Sequence, residues 1–345
     1  MWAMIFKEFL ELRRDRRTMA MLIVLPLLLL VVFGYAASFN VSTLTTDVVG
    51  PGATQAAAAL RAPFEVGRVD PAAGDAEARE RLRTDRADVV LVTGGDTAVA
   101  LVDGSNLFGA QAAKAALART PLKVEVLYNP DLKTSWVMVP ALVGLILTFI
   151  GTIVTAIGLV RERQAGTLEQ LAVMPFRPSD VILGKIVPYY LLAALDLVVV
   201  TLLGRLLFGV PFAGSVLTFG LGAGLFLFVV LGVGVLISTV SQNQGQAIQL
   251  ALMIMMPQIL LSGMIFPLDA MAPGVRWIGY LLPLTYFTKL SQGVMLRGDD
   301  LASLWLPLVV LAGMAVVVFT AAVLRFRRDL APSQPSTGAA AGGAS

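Results

Sequence analysis

The chain has 345 residues, of which 57% are hydrophobic and only 14% are charged, and its formal net charge is +3. A soluble domain is nearer a quarter charged, so much of this chain must lie in a solvent other than water. The sequence contains no cysteine and no histidine. Disulfides, thiol catalysis and cysteine-based metal sites are therefore excluded, and the commonest metal ligand and proton shuttle is missing. We assign no catalytic residue and no metal site.

The chain begins with an amphipathic pattern over residues 1–17, in which Trp2, Ile5 and Phe9 share one helical face. This pattern predicts a helix lying in the membrane interface. Residues 18–39 carry no charge and are long enough to cross a bilayer once, so they predict the first transmembrane helix. A cleaved signal peptide is the alternative, but the apolar run is longer than a typical signal-peptide core.

Residues 40–135 differ in composition, with 10 basic and 12 acidic residues. Short strand-like segments alternate along the chain with helix-like segments, which predicts a small α/β domain inserted after the first span. The predicted strands are 46–49, 64–69, 87–93, 97–103 and 122–128, and the predicted helices are 53–61, 75–86 and 110–119.

Residues 136–326 predict a transmembrane domain of five further helices, since their apolar runs are long enough to cross the hydrocarbon core. The fold class is thus an all-α polytopic membrane protein with about six spans and an inserted extracytoplasmic α/β domain. The polar segment 238–246 divides the long uncharged stretch 206–268 into two spans. Residues 327–345 are rich in Pro, Gly, Ala and Ser and predict a disordered cytoplasmic tail.

Orientation follows from the basic residues that flank the spans. With the N-terminus inside, twelve Lys and Arg lie in the cytoplasmic flanks, against four in or near the short outer segments, namely Arg205, Arg276, Lys289 and Arg297. The positive-inside rule therefore predicts two cytoplasmic termini and an exterior α/β domain.

The loop at 161–180 is short, charged and predicted to lie in the cytoplasm. Thr167 can cap a short helix that Pro175 would end. One interpretation is a solvated loop that only satisfies the positive-inside rule; the other is a docking segment for a cytoplasmic partner. No G-x-x-x-x-G-K-[ST] motif is present, so ATP hydrolysis is not expected from this sequence. The candidate docking residues are Arg161, Glu162, Arg163, Gly166, Thr167, Leu168, Glu169, Gln170 and Leu171.

This loop resembles the E-R-E-x-G-T-x-E-Q-L…P-x-R-P…L-G-K signature of ABC-2-type permeases, with Gln164 at a position where the family often has Glu. The resemblance implies that the loop is the coupling helix that seats in an ATP-binding-cassette ATPase. It also implies that residues 1–17 are the family's elbow helix and that 267–290 form an outer re-entrant segment. Prolines 267, 273 and 283 suit broken helices there.

The resemblance further implies an exporter of drugs, lipids or glycan-like molecules in a bacterial inner membrane. Its partners would be the ATPase, which holds ATP and magnesium, and a second permease, identical or paralogous. A periplasmic adaptor accompanies many relatives with this insert. Membrane lipid surrounds the chain, no nucleic acid is expected, and the chain itself needs no cofactor.

Asp196 lies inside the third predicted span, where a carboxylate costs about 2.5–3.5 kcal/mol. It either contacts the transport path or makes a polar contact between helices. Two rival functions remain open: a proton-coupled secondary transporter that uses Asp196, and a membrane receptor whose exterior domain senses a ligand. The single buried carboxylate and the lack of an internal repeat weigh against the former.

Overall fold

A computed structural model describes four parts of the chain, and the predicted interfacial helix 1–17 and first span 18–39 lie outside them. The residues described are 41, 43–94, 98–165 and 178–329, of which 178–183, 185 and 326–329 are described as backbone only.

The inserted domain contains five strands and three helices. The strands are β1 (Leu44–Val49), β2 (Phe64–Asp70), β3 (Val89–Val92), β4 (Val99–Asp103) and β5 (Lys123–Leu127), and the helices are α1 (Ala53–Ala59), α2 (Asp75–Arg83) and α3 (Leu107–Leu117). The sheet order is β2-β1-β3-β4-β5, and all neighbouring strands are parallel except the antiparallel pair β3 and β4. Each strand and helix predicted for this region is present, with shifts at the ends.

Helices cover both faces of the sheet. Successive side chains of a strand point in opposite directions, and both sets are buried here. Val49, Val90 and Leu101 pack with Leu82 of α2. Their neighbours Val48, Leu91 and Ala100 pack on the other face, with Ala53 of α1 and Leu117 of α3. The domain therefore has three layers, with α2 alone on one face.

The rest of the described chain is helical. Five helices are long and apolar enough to cross a membrane by length and composition. They are α4 (Thr134–Gln164), α5 (Pro178–Phe208), α6 (Val216–Val240), α7 (Gln244–Leu261) and α10 (Trp305–Asp329). The predicted fold class is therefore confirmed: a polytopic helical protein carries an inserted α/β domain.

Broken helices connect α7 to α10, in the region predicted to be re-entrant. They are a 3-10 turn (Leu268–Ala270), α8 (Pro273–Gly279), α9 (Pro283–Gln292) and a π-helical turn (Gly293–Arg297). Proline at the first position of α8 and of α9 suits a helix start, since that position needs no N–H donor. The depth of this segment in the membrane stays a prediction.

Helix α6 lies at the centre of the bundle. Phe226 of α6 stacks on Phe287 of α9 with ring centroids 4.4 Å apart, and both side chains are fully buried. A Cβ on Gly144 of α4 or on Gly222 of α6 would collide with side chains of α9. Close packing of small residues, which suits helix association in lipid, therefore holds α4, α6 and α9 together.

Three helix ends that border the predicted loop and tail differ from the sequence prediction. Helix α4 continues through Gln164 and α5 already begins at Pro178, so the loop predicted at 161–180 is shorter. The sequence between 160 and 164 contains strong helix formers and no breaker, which explains the extension. Helix α10 also continues to Asp329, past the predicted start of the tail at 327. Residues 330–345 lie outside the described part.

Candidate functional site

The last turn of α4 is fastened to the turn that joins α6 to α7. Arg163 Nη1 donates to the backbone oxygens of Ser238 at 2.8 Å and Ser241 at 3.2 Å. Such C-terminal carbonyls lack partners within their own helix, and a basic side chain both bonds them and matches the negative end of the helix dipole. Gln244 Nε2 donates to Gln164 Oε1 at 3.3 Å. The start of the loop predicted at 161–180 is thus tied to the α6–α7 turn.

This turn is itself held by local capping. Asn243 is the N-cap of α7, and its side-chain oxygen accepts from Gln246 N at 2.9 Å. Gln246 Oε1 in turn accepts from Gln242 N at 3.0 Å. These are the side-chain bonds that an isolated helix start needs. The polar segment that the sequence predicted to divide two spans is therefore a capped, ordered turn.

The candidate docking residues fall into two groups. Arg161, Glu162 and Arg163 lie in the last turn of α4, where Arg161 is exposed and Glu162 is half-buried. Gly166, Thr167, Leu168, Glu169, Gln170 and Leu171 lie outside the described residues, so their assignment stays a prediction.

Asp196 lies on α5, the most exposed of the spans. It is half-buried between the buried residues Ala193 and Leu197, whereas Leu195 and Val199 are exposed. No hydrogen bond or ion pair joins Asp196 to another residue in the described ranges. Both interpretations of Asp196, a transport-path contact and a polar contact between helices, therefore stay open.

At the opposite end of the bundle, Arg297 connects the membrane helices to the inserted domain. Its guanidinium is 6% exposed and donates to Asp299 at 3.0 Å and to Ser105 Oγ at 2.9 Å. Asp85 and Asp103 of the inserted domain lie 3.6 and 3.8 Å away. One buried arginine thus gathers carboxylates from both parts of the chain, and we call this group of five residues the junction cluster.

Asp85 reaches the cluster because of the way α2 ends. Arg86 N bonds the oxygen of Arg81, and Asp85 N bonds the oxygen of Leu82, which is the Schellman pattern. Asp85 has φ +55°, a left-handed conformation that glycine usually adopts at this position and that Asp tolerates. The carboxylate consequently points to Arg297 and to Lys289 Nζ, 3.8 Å away.

Burial controls the charges in the junction cluster. Burial raises the pKa of Asp103 to about 6, although Arg297 and the hydrogen bonds from Ser105 favour its ionised form. Burial also raises the pKa of Asp299. For Arg297, burial disfavours the charge, but Asp85, Asp103 and Asp299 outweigh it and keep the pKa above its usual value. The arginine is therefore the fixed charge of the cluster.

The sequence did not single out the junction cluster. The sequence indicates Arg297 only as a cation in an outer flank, and Asp103 only as the end of a strand. The run Arg297-Gly298-Asp299-Asp300 places three charges beside a buried apolar segment and could have indicated a cluster. Its partners could not have been identified, because Ser105 and Arg297 are 192 positions apart.

These features define a class of protein: a polytopic membrane protein with a charged loop at one end of its bundle and an inserted α/β domain at the other. The family model described as "ABC-2 family transporter protein" matches residues 16–324. The chain belongs to this family and is a membrane-embedded permease of the ABC transporter type. The resemblance to ABC-2-type permeases is thereby confirmed.

Individual relatives agree with this assignment. The "Probable multidrug ABC transporter permease YbhR" of Escherichia coli K12 is 28% identical, and the alignment covers 96% of this chain and 99% of that protein. The similarly named YbhS of the same organism is 31% identical over 59% of this chain and 54% of its own length. The "Inner membrane transport permease YhhJ", also from Escherichia coli K12, is 30% identical over 61% of this chain and 56% of its own length.

Proposed function

We propose that this chain is the non-catalytic permease subunit of an ATP-driven exporter that moves a hydrophobic or amphipathic molecule out of the cytoplasm or the inner leaflet. The observation that carries the proposal is the end-to-end similarity to a relative named as a multidrug permease, together with the family match. Drugs, lipids and glycan-like molecules are the substrate classes that the resemblance implies.

In this proposal the energy comes from a separate ATP-binding-cassette subunit, which binds ATP and magnesium, and the permease itself needs no cofactor. The loop at 161–180, which we call the coupling loop, docks on that subunit through residues between Arg161 and Leu171. Arg163 supports this proposal, because it bonds the α6–α7 turn and lies in the last turn of α4, where the loop begins. A displacement of the loop would therefore pull on two membrane helices at once.

A second permease, identical or paralogous, completes the transporter in this proposal, and an adaptor outside the membrane is a further expected partner. We place the chain in a bacterial inner membrane with both termini in the cytoplasm and the inserted domain outside. The basic flanks support this orientation. The relative named as an inner membrane permease supports the compartment.

The first test is capture of the ATPase. Wild-type permease, purified in detergent, is incubated with ATP-binding-cassette proteins of the source organism and recovered by an affinity tag. We expect specific capture of an ATPase and its loss in Glu169→Arg, because the substitution reverses a charge at the docking surface. Glu65→Arg is the matched control, since Glu65 is an exposed carboxylate on β2 in the inserted domain.

Each outcome of the capture experiment supports or removes one part of the proposal. Capture that is lost in Glu169→Arg and retained in Glu65→Arg supports the exporter and the docking segment. Capture retained in both variants removes the docking role of Glu169 but leaves the ATPase partner. If folded wild-type protein captures no ATPase, the ABC subunit proposal is wrong, and proton transport that depends on Asp196 becomes the next hypothesis.

A further inference from the structure

A cavity of about 560 Å³ lies at the end of the bundle where the α6–α7 turn joins two membrane helices. Residues 239–242 and Leu250 contribute one wall, and Arg163 of α4 and Arg325 of α10 contribute the others. Helix α4 ends at Gln164 and α6 ends at Val240, so the cavity lies where apolar spans give way to polar sequence. Its volume is usual for a small-molecule site. We call it the basic cavity.

The charges that line the basic cavity are all positive in the described part of the chain. Arg163 and Arg325 line it, and no described Asp or Glu does. Glu162, the acidic residue of α4, is half-buried and lies outside the lining. By contrast, the cavity of about 600 Å³ between α2 and the start of α10 is lined by four carboxylates and four basic side chains. The basic cavity therefore favours an anion.

Two side chains of the lining have donors that no other described residue uses. Arg325 is exposed and makes no hydrogen bond or ion pair in the described ranges, so the N–H groups of its guanidinium are available. Gln242 is also exposed, and its bond to Gln246 uses the backbone N–H and leaves the side-chain amide available. The hydroxyls of Thr239 and Ser241, in contrast, already donate to helix carbonyls. Unused donors suit a ligand that offers only acceptors, as a phosphate does.

Apolar groups beside the arginines indicate that the anion carries an apolar part. Val240 lines the cavity and is 43% exposed, and half-buried Leu250 also lines it. On α10, Leu324 and Val317 are 56% and 66% exposed, and their spacing of two helical turns places them on one face. This exposed apolar face runs from the neighbourhood of Arg325 towards the middle of the span. It suits an acyl chain whose charged end lies at the cavity.

We propose that the basic cavity binds the phosphate of an anionic phospholipid, with Arg325 and the side-chain amide of Gln242 donating to its oxygens and Arg163 adding to the positive field. The acyl chains lie along the exposed apolar face of α10. Basic pockets between membrane helices are a recognised type of site for anionic headgroups. The lipid bonds side chains only, so the bonds of Arg163 to the α6–α7 turn persist without it. The inference does not rest on the exporter proposal, because binding is measured without ATP or a partner subunit.

The test counts bound lipids by native mass spectrometry. Full-length permease, delipidated in a neutral detergent, is titrated with phosphatidylglycerol or with phosphatidylcholine of the same acyl chains, so that the headgroups differ in net charge. We expect saturable binding that favours phosphatidylglycerol about fivefold or more, the factor expected from one basic group near an anionic lipid. Soluble glycerol phosphate at equal concentration should not displace the lipid, which separates a lipid site from a site for free phosphate.

Variants locate the site. Arg325→Gln should weaken phosphatidylglycerol binding about fivefold, Gln242→Ala should weaken it several-fold, and Arg325→Lys, which keeps the charge, should retain most of it. Arg205→Gln is the matched control and should bind as wild type, because Arg205 is also an exposed arginine in the last turn of a span but lies outside the cavity. Thermal unfolding checks that each variant is folded.

Three outcomes would overturn the proposal: equal binding of the two lipids, displacement by glycerol phosphate at equal concentration, or equal effects of Arg325→Gln and Arg205→Gln. If Arg325→Gln does not fold, Gln242→Ala alone still decides, since wild-type affinity in that variant contradicts the site. If Arg325→Gln weakens ATPase capture but not lipid binding, the cavity is a protein docking surface and the lipid proposal is wrong. Failure of lipid binding leaves ATPase capture by the wild type unaffected, so the two proposals fail separately.

Discussion

Arg297 illustrates how the environment of an ion pair sets its importance. Exposed pairs such as Arg79 with Asp75 contribute about 0–1 kcal/mol, because water screens them. Arg297 and Asp103 are almost fully buried, so their charges depend on each other rather than on solvent. The junction between the inserted domain and the bundle is therefore sensitive to changes in these two residues.

The raised pKa of Asp103 predicts a pH dependence of stability. A carboxyl whose pKa rises on folding, here from 3.8 to about 6, binds its proton more tightly in the folded state. Stability from this group is therefore greatest at low pH and declines as the pH rises from about 4 to about 6, by at most about 3 kcal/mol. We expect the unfolding midpoint of wild type to fall across this window relative to that of Asp103→Asn.

The difference between the two proteins is the quantity to measure, since other carboxyls titrate in the same range. Arg297, Asp85 and Tyr128 interact with the charge of Asp103, and Asp299 binds the same arginine; all four are unchanged in Asp103→Asn. Asp75→Asn removes an exposed carboxyl from α2 and should retain the wild-type profile. Parallel profiles for wild type and Asp103→Asn would contradict a raised pKa at Asp103.

Among the elements, the α6–α7 turn is held from outside as well as by its own caps. Only Arg163 supplies, among the described residues, a side-chain bond to the oxygens of Ser238 and Ser241. Hydrogen bonds to a charged group contribute about 1.5–3 kcal/mol. Loss of the guanidinium should therefore loosen the turn locally while the apolar packing of the helices persists.

We predict that Arg163→Met increases hydrogen exchange of the backbone amides in residues 238–246 by about tenfold or more. Peptide-resolved hydrogen–deuterium exchange with mass spectrometry measures this directly. Arg163 and Arg325 both line the basic cavity beside this turn. Arg325→Met is the control, because the structure describes no bond from Arg325 to the turn. If both variants exchange as wild type does, Arg163 does not hold the turn.

The sequence predicted most elements because their patterns are local. The short apolar run of β3 indicated a strand, and the long uncharged runs of α4 and α6 indicated spans, since run length and composition are read directly from the sequence. Contacts that join distant positions had no such signal. The inward direction of Arg163 and the burial of Arg297 both depend on which helix end comes to lie beside them, and periodicity does not encode that.

For the whole molecule, the length of α4 separates the inserted domain from the α6–α7 turn. The helix begins at Thr134, directly after the inserted domain, and ends at Gln164, which bonds the α6–α7 turn. Its 31 residues span about 46 Å at about 1.5 Å each, more than the ~30 Å of a hydrocarbon core. A membrane crossed by α4 therefore separates the junction cluster from the α6–α7 turn and the loop at 161–180.

Cysteine labelling tests the direction of this arrangement, because the chain has no native cysteine to contribute background. Lys114 on α3 and Gln244 at the start of α7 are both exposed, and each can be replaced by cysteine singly. We expect a membrane-impermeant maleimide to label Lys114→Cys in intact spheroplasts. We expect it to label Gln244→Cys only after permeabilisation, because basic flanks favour a cytoplasmic coupling loop. The reverse pattern would place the coupling loop outside, where no ATPase could reach it, and would contradict the exporter proposal together with the orientation.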